Sequence, residues 1–93
     1  MAREHKRERF TAWITKYALT QGIHERMVED CFDISPTMVT TIKREGEYSA
    51  VHFFGQDWHR TKADAIKRAR EMQTKRLESI DQQRARIAAL KFD

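Results

Sequence analysis

The chain has few residues that form disulfides, interrupt secondary structure or make the backbone flexible: one cysteine, one proline and three glycines in 93 residues. The single cysteine, Cys31, excludes an internal disulfide and with it the small secreted domains that depend on one. The glycines are isolated, which excludes a glycine-rich phosphate-binding loop. Neither glycine nor proline follows Gly55, so the last third of the sequence contains no helix breaker.

Long apolar runs are also missing. No segment reaches the length of a membrane helix, and the charged start MAREHKRERF is followed by no apolar stretch typical of a signal peptide. We therefore expect a cytoplasmic protein. The length predicts one domain over residues 1–93, which would bury only about 60% of its unfolded surface and gain from a partner.

The net charge of +4 is unevenly distributed. Residues 1–9 are basic and predict a flexible arm, residues 10–60 are acidic overall, and residues 61–92 are again basic. A uniformly basic nucleic-acid-binding protein would look different. This asymmetry indicates at least two faces with opposite charge preferences.

Residues 10–60 have the short alternating and β-branched runs of an antiparallel sheet. We predict strands over 10–19 and 23–32, and a hairpin of 38–43 with 48–54 around a turn at 44–47. The hairpin is the best supported of these elements. A helix stays open as the alternative for residues 8–19, because Phe10, Trp13, Ile14 and Tyr17 also have helical spacing.

Residues 61–92 predict one unbroken helix. Thr61 is the predicted N-cap, with Asp64 three residues later. The helix would be roughly 45 Å long, which exceeds the width of so small a domain. The fold class is therefore α+β: an antiparallel sheet of three to four strands, packed by the first half of one long C-terminal helix. The packing residues would be Ala63, Ala65, Ile66, Ala69 and Met72.

The distal half of the helix carries a second apolar group. It consists of Leu77, Ile80, Ile87 and Leu90, within one arc of the helical wheel. Arg76, Arg84 and Lys91 interrupt the arc, which weakens a regular parallel zipper. We expect a homodimer through this half, antiparallel or splayed.

The charged face of the helix has two interpretations. Asp64 with Arg68, and Glu71 with Lys75, are spaced as favourable ion pairs, which indicates a solvated face that neutralises itself. The alternative is nucleic-acid binding by the basic helix and the N-terminal arm. We take the exposed distal bases as contacts for a partner: Lys75, Arg76, Arg84 and Arg86.

Trp58, His59 and Arg60 form the best local candidate for partner binding. Tryptophan offers a stacking surface, histidine a titratable donor and arginine a fork for carboxylate or phosphate. The adjacent helix N-terminus would also favour an anion. The alternative is that Trp58 caps the hydrophobic core while His59 and Arg60 lie in solvent.

No catalytic, cofactor or metal signature stands out. His24, His52 and His59 with Cys31 do not match the ligand spacing of a zinc site. Cys31 is expected to be a small core residue rather than a nucleophile. The acidic run of Glu25, Glu29, Asp30 and Asp33 is read as a solvated strand edge, with a carboxylate cluster or a phosphate-mimicking docking patch as alternatives.

Three segments together resemble small uncharacterised proteins of tailed bacteriophages and prophages. They are KYALTQGI at 16–23, GQDWHRT at 55–61 and the Ala-, Lys- and Arg-rich helix that ends in ALKF at 89–92. The resemblance carries no known catalytic residue. It implies an accessory protein that binds a host protein, among which are inhibitors of restriction or CRISPR defence. We therefore expect a non-enzymatic protein-binding module acting in the host cytoplasm.

Overall fold

A computed structural model describes residues 5–92 of the chain. In chain order the elements are β1 (Arg9–Ile14), α1 (Ala18–Gln21), β2 (His24–Asp30), β3 (Val39–Thr41), β4 (His52–Phe53), a 3₁₀ turn (Gly55–Asp57), β5 (Trp58–His59) and α2 (Lys62–Ala88). The predicted α+β class is confirmed, and the antiparallel sheet has five strands rather than three or four.

The N-terminal segment is a strand, as its β-branched and aromatic content predicts, and the helical alternative is wrong for β1. β1 pairs with β2 so that Phe10 lies opposite Val28 and Ile14 lies opposite His24. Phe10, Ile14 and Val28 therefore face the same side of the sheet.

The strand ends earlier than predicted, because Thr15 turns away from β2. Its N–H donates to the carbonyl of Asp57 at 2.8 Å, and its hydroxyl donates to the carbonyl of Gln56 at 2.8 Å. The chain then forms the single helical turn of α1, which closes at Gly22 with a φ of +78°. A positive φ at this position explains the glycine.

The sheet curls into a half-barrel. Its strand order is β4-β3-β2-β1-β5, so the two edge strands are consecutive in the chain and joined only by residues 54–57. Five flat strands would set the edges about 19 Å apart. Even a fully extended chain from Phe53 to Trp58 spans only about 18 Å, and the 3₁₀ turn shortens it. The short connection therefore requires curvature.

The predicted hairpin of β3 and β4 is confirmed as a pair but is much shorter than expected. Val39 lies opposite Phe53 and Thr40 opposite His52, and β4 contains only those two residues. Residues 42–51 form a long loop whose Tyr48 is 99% exposed. The hairpin that the sequence supports best is thus held by only two residue pairs between β3 and β4.

The hydrophobic core lies inside the curl. Its buried residues are Ala12, Ile14, Val28, Val39 and Phe53, with Phe10, Phe32 and Trp58 packed against them. Ala12 and Ile14 alternate with half-buried Trp13, which shows the two-residue period of a strand with one buried face.

Helix α2 begins as predicted. The hydroxyl of Thr61 accepts the N–H of Asp64 at 3.2 Å. The helix contacts β1, β5 and α1 through its first part. Ala65 is fully buried, and Ile66, Ala69 and Met72 are half-buried, whereas predicted Ala63 is exposed.

Beyond Met72 the helix leaves the body of the molecule. The radius of gyration is 18.5 Å and the extents are 70 × 35 × 27 Å. A compact chain of this length would have a radius of gyration of about 12 Å. We call residues 73–92 the rod; its helical part ends at Ala88, short of the predicted residue 92. No helix among residues 5–92 has the length and apolarity needed to cross a bilayer.

Candidate functional site

Trp58 belongs to an aromatic cluster that closes one side of the curled sheet. Its ring lies 5.7 Å from Phe10 and 6.3 Å from Phe32, measured between centroids, and it is nearly parallel to Phe32. The indole N–H donates to the carbonyl of Thr37 at 2.8 Å. Trp58 is half-buried and packs on the core, so its position matches the core-capping interpretation while one part of its surface stays open.

Arg60 covers this cluster from the solvent side. Its guanidinium carbon lies 4.0 Å from the centroid of Phe10 and 6.0 Å from that of Trp58. Arg60 is exposed and forms no ion pair within residues 5–92. A guanidinium held against an aromatic face keeps donors available for a carboxylate or phosphate.

His59 lies on the other face of the sheet from Trp58. It is opposite Trp13 in the pairing of β1 with β5, and its Nε2 lies 3.1 Å from the carbonyl of Gln56. The three consecutive candidates therefore do not form one site: Trp58 and Arg60 share the aromatic cluster, and His59 contacts the 3₁₀ turn.

The remaining candidates lie far from Arg60. Counting 1.5 Å per residue along α2, Lys75 is about 20 Å and Arg86 about 36 Å from the helix start. At 100° per residue, Arg76 and Arg84 lie within the arc of Leu77, Ile80, Ile87 and Leu90, which we call the distal stripe. Lys75 and Arg86 lie on the side of the helix away from it.

The distal bases are freer than the sequence predicts. Arg68 pairs with Glu71 at 3.8 Å, and Glu71 makes no pair with Lys75. The predicted pairs of Asp64 with Arg68 and of Glu71 with Lys75 are therefore absent from the structure of residues 5–92. Nor does any ion pair involve the four distal candidates, which are Lys75, Arg76, Arg84 and Arg86.

The distal stripe is exposed along its whole length. The exposed fractions of Leu77, Ile80, Ile87 and Leu90 are 56%, 42%, 69% and 57%. The body of the molecule leaves them open, because the buried and half-buried residues of α2 that pack on the body lie between Ala65 and Met72. Large apolar side chains that recur on one face of a projecting helix mark an interaction surface.

Three members of the acidic run, Glu29, Asp30 and Asp33, contact N-terminal side chains, whereas Glu25 is exposed. β2 is an inner strand, so the predicted edge is wrong. Arg7 forms two hydrogen bonds of 3.0 Å with Asp33, and Arg9 contacts Glu29 at 3.4 Å. These pairs neutralise much of the run and leave little of a phosphate-mimicking patch.

Asp30 was expected at a solvated strand edge, and its burial is what sequence reasoning missed. It is 2% exposed, and its oxygens accept the N–H of Glu8 at 2.8 Å and lie 2.5 Å from Nε2 of His5. Burial favours the neutral acid, but these bonds and a weaker one from the N–H of Phe32 outweigh it and hold the pKa of Asp30 below its ordinary value. Residues 5–8 are thereby attached to β2, where a flexible arm was expected. Residues 1–4 of that predicted arm lie outside the described part.

His5, Asp30 and Asp33 are the one group of metal-ligating side chains close enough together to hold an ion within residues 5–92. Their donor atoms already have partners, since Arg7 occupies both oxygens of Asp33 and His5 contacts Asp30. A cation would have to displace Arg7, so the chemistry of this group favours a structural ion-pair network.

Cys31 is 2% exposed, and burial raises the pKa of its thiol. A buried, protonated thiol is a poor nucleophile, which agrees with the predicted role as a small core residue. His24 and His52 are exposed and on different strands.

A shallow cleft of about 290 Å³ opens beside β4, with Ile14, Tyr17 and Phe53 among its lining residues. Arg26 lies at its wall and bonds to Glu47 and to the carbonyl of Ile42. These contacts fix the long loop between β3 and β4. The N–H of Arg44 also donates to Glu47 at 2.6 Å, and this bond, followed by that from Arg26, lowers the pKa of Glu47.

Comparison of the chain with family models, with curated proteins and with solved structures finds no match.

Proposed function

We propose that this protein is a non-enzymatic binding module that attaches to another protein through its rod. The observation that carries the proposal is the exposed distal stripe, interrupted and backed by bases that form no ion pair within residues 5–92. An isolated helix of this length is marginal in water, so a rod without intramolecular cover gains stability from a bound partner.

The size of the stripe limits what it does alone. Complete burial of a leucine or isoleucine side chain stabilises by about 1.5–3 kcal/mol, and these four are about half exposed, so the stripe offers about 4 kcal/mol. Association costs about 4–15 kcal/mol in lost freedom. Stable attachment therefore needs a second contribution, and the distal bases supply it by pairing with acidic groups on the partner.

The partner surface that fits the rod bases carries acidic side chains. Lys75 and Arg86, together with Arg76 where it is accessible, would pair with them. Arg60, held 4.0 Å from the centroid of Phe10, is a separate acidic-group contact at the other end of α2. The two contacts together would let one small chain reach across a large surface.

The resemblance to bacteriophage proteins supports a host protein as the partner. In that setting the module would occupy a surface of a defence complex, of the CRISPR or restriction kind, or of a nucleic-acid-handling complex. It would act in the host cytoplasm and change the activity of its target by covering a surface.

Capture from a bacterial lysate tests this function. The double variant Lys75→Glu with Arg86→Glu reverses two rod charges on the side away from the distal stripe. The matched control, Lys62→Glu with Lys67→Glu, makes the same charge change on the first two turns of α2, where both lysines are exposed. We expect the first variant to retain about a tenth or less of the captured partner and the control to retain most of it. Equal capture by both variants would mean that Lys75 and Arg86 do not contribute to partner binding.

Direct nucleic-acid binding is the second candidate, favoured by the four distal bases that have no ion-pair partner among residues 5–92. The pairing of Arg7 with Asp33 and of Arg9 with Glu29 removes much of the N-terminal contribution. Fluorescence anisotropy with a labelled duplex decides between the two. Phosphate contacts predict an affinity that falls steeply as salt rises, whereas the protein-binding proposal predicts no measurable affinity at physiological salt.

A further inference from the structure

The distal stripe is symmetric about its own centre. Leu77 and Leu90 lie equally far on either side of the point between Gln83 and Arg84, and Ile80 and Ile87 do the same. We infer that the occupant of the stripe is a second copy of this chain, paired antiparallel about a two-fold axis through that point. The inference rests on the proposed function, because it names what covers the apolar part of the rod.

The two-fold axis brings each apolar residue opposite another. Ile80 faces Ile87 of the second copy near the centre of the interface, and Leu77 lies at the same level as Leu90 of the second copy, so four apolar layers form from four residues per chain. Leu90 follows the helix in a closing turn, in which its N–H donates to the carbonyl of Ile87 at 3.2 Å. The apolar pattern is thus self-complementary in the antiparallel direction as well as in the parallel one, and the two directions differ in how they place Asp81 and Arg84.

The same axis gives Arg84 a partner. Asp81 and Arg84 lie on the same side of the stripe, both are exposed, and neither forms an ion pair within residues 5–92. In an antiparallel pair, this side of one helix lies next to the same side of the other helix. Asp81 of one copy then lies within about 3 Å of Arg84 of the other, measured along the helix axis. Each Arg84, the base that interrupts the stripe, therefore lies near Asp81 of the other copy, and the dimer contains two such contacts.

The body leaves room for this pairing. Burial by the sheet ends near Met72, while in the paired arrangement Ala88 of the second copy reaches only as far as Ser79. Leu90 of the second copy lies opposite Leu77, still outside the covered part. Lys75 and Arg86 stay on the outer side, so two copies of the basic surface remain available to a host protein.

Charge-swapped variants test the arrangement. Asp81→Arg makes this side of the rod basic, and Arg84→Glu makes it acidic. When equal amounts of the two variants are mixed, native mass spectrometry should show about ten heterodimers for every homodimer, where random pairing gives about one, because each homodimer brings like charges together. A parallel pair would place Asp81 and Arg84 of the two copies on opposite sides and show no preference.

Disulfide trapping tests the register independently. Ile80→Cys and Ile87→Cys chains of different mass are mixed and oxidised, with buried Cys31 left in both. We expect the mixed disulfide to dominate over each self-disulfide. A monomer at every concentration, a statistical heterodimer fraction or dominant self-disulfides would overturn the inference.

The two proposals fail separately. A wild-type chain that captures a host protein while staying monomeric contradicts the second copy and supports the proposed function. A chain that dimerises as described and captures nothing supports the second copy and counts against a host partner.

Discussion

At the scale of single residues, one buried carboxylate organises the N-terminal part of the molecule. Asp30 is surrounded by the N–H of Glu8, by His5 and by the N–H of Phe32, which together attach residues 5–8 to β2. A buried charge is tolerated only when hydrogen bonds replace its lost water. Asp30 therefore stabilises the fold only as long as these partners remain.

Replacing Asp30 with Asn should destabilise the protein by about 1–3 kcal/mol, because the amide nitrogen faces donors where a carboxylate oxygen accepted their hydrogen bonds. Urea unfolding at pH 7 followed by tryptophan fluorescence measures the change. Asp33→Asn is the control, since it breaks a solvent-screened pair with Arg7 and should cost clearly less than Asp30→Asn. Equal losses in the two variants would contradict the role given to Asp30.

The pH dependence follows from the direction of the Asp30 shift. A carboxylate whose folded pKa is depressed adds stability above its unfolded pKa, and that stability is lost as pH falls through the folded pKa. The wild type should therefore lose stability on acidification below about pH 4, and Asp30→Asn should show a weaker loss over the same range. Parallel pH profiles of unfolding free energy would argue against this assignment.

At the scale of secondary-structure elements, local sequence signals located most elements and tertiary contacts set where they end. The N-cap at Thr61 depends on residues three positions apart, and it could be predicted. The end of β1 depends on Thr15 bonding to residues about forty positions later, and no local pattern contains that information. The same holds for the curl, which arises from the short connection between two edge strands.

Among the candidate site residues, the sequence identified the exposed ones and missed the buried network. The distal stripe and its bases follow from helical periodicity, and the structure leaves them exposed. Asp30 resembled its acidic neighbours in sequence, and only the pairing of β2 between β1 and β3 shows that it is buried. Ion pairs on the helix were mispredicted because spacing permits more than one partner for Arg68.

The cap of α2 gives a prediction at this scale. Thr61→Ala removes the hydroxyl that accepts the N–H of Asp64 and should destabilise the protein by about 0.5–2 kcal/mol. Thr74→Ala, in the exposed helix interior, should instead stabilise the helix by a few tenths of a kcal/mol. Circular dichroism during thermal unfolding measures both changes in stability, which should have opposite signs. An equal loss of stability in the two variants would contradict the role of Thr61 as the cap.

At the scale of the whole molecule, the protein consists of a small half-barrel and a rod that the half-barrel does not cover. The rod presents one apolar side, suited to a second copy, and one basic side, suited to an acidic partner surface. Both surfaces lie on one helix, so dimerisation would double the basic surface without hiding it. Binding of a host protein could then depend on dimerisation even though the contacts are separate.

The stripe gives a prediction at the same scale. Ile80→Glu places a charge in the proposed dimer interface and should raise the dimer dissociation constant by about tenfold or more. Ala85→Glu adds the same charge on the side of the rod away from the stripe and should change it little. Sedimentation equilibrium on the three proteins measures both effects, and a similar weakening by the two variants would exclude a stripe-specific contact.

Small-angle X-ray scattering of the Ile80→Glu variant at low concentration tests most directly whether the rod projects from its own body. The substitution keeps the chain monomeric, so the scattering reports one molecule. We expect a radius of gyration close to the 18.5 Å of the structure. A value near the roughly 12 Å of a compact chain of this length would mean that the rod folds back on the half-barrel, which would contradict the binding surface proposed for it.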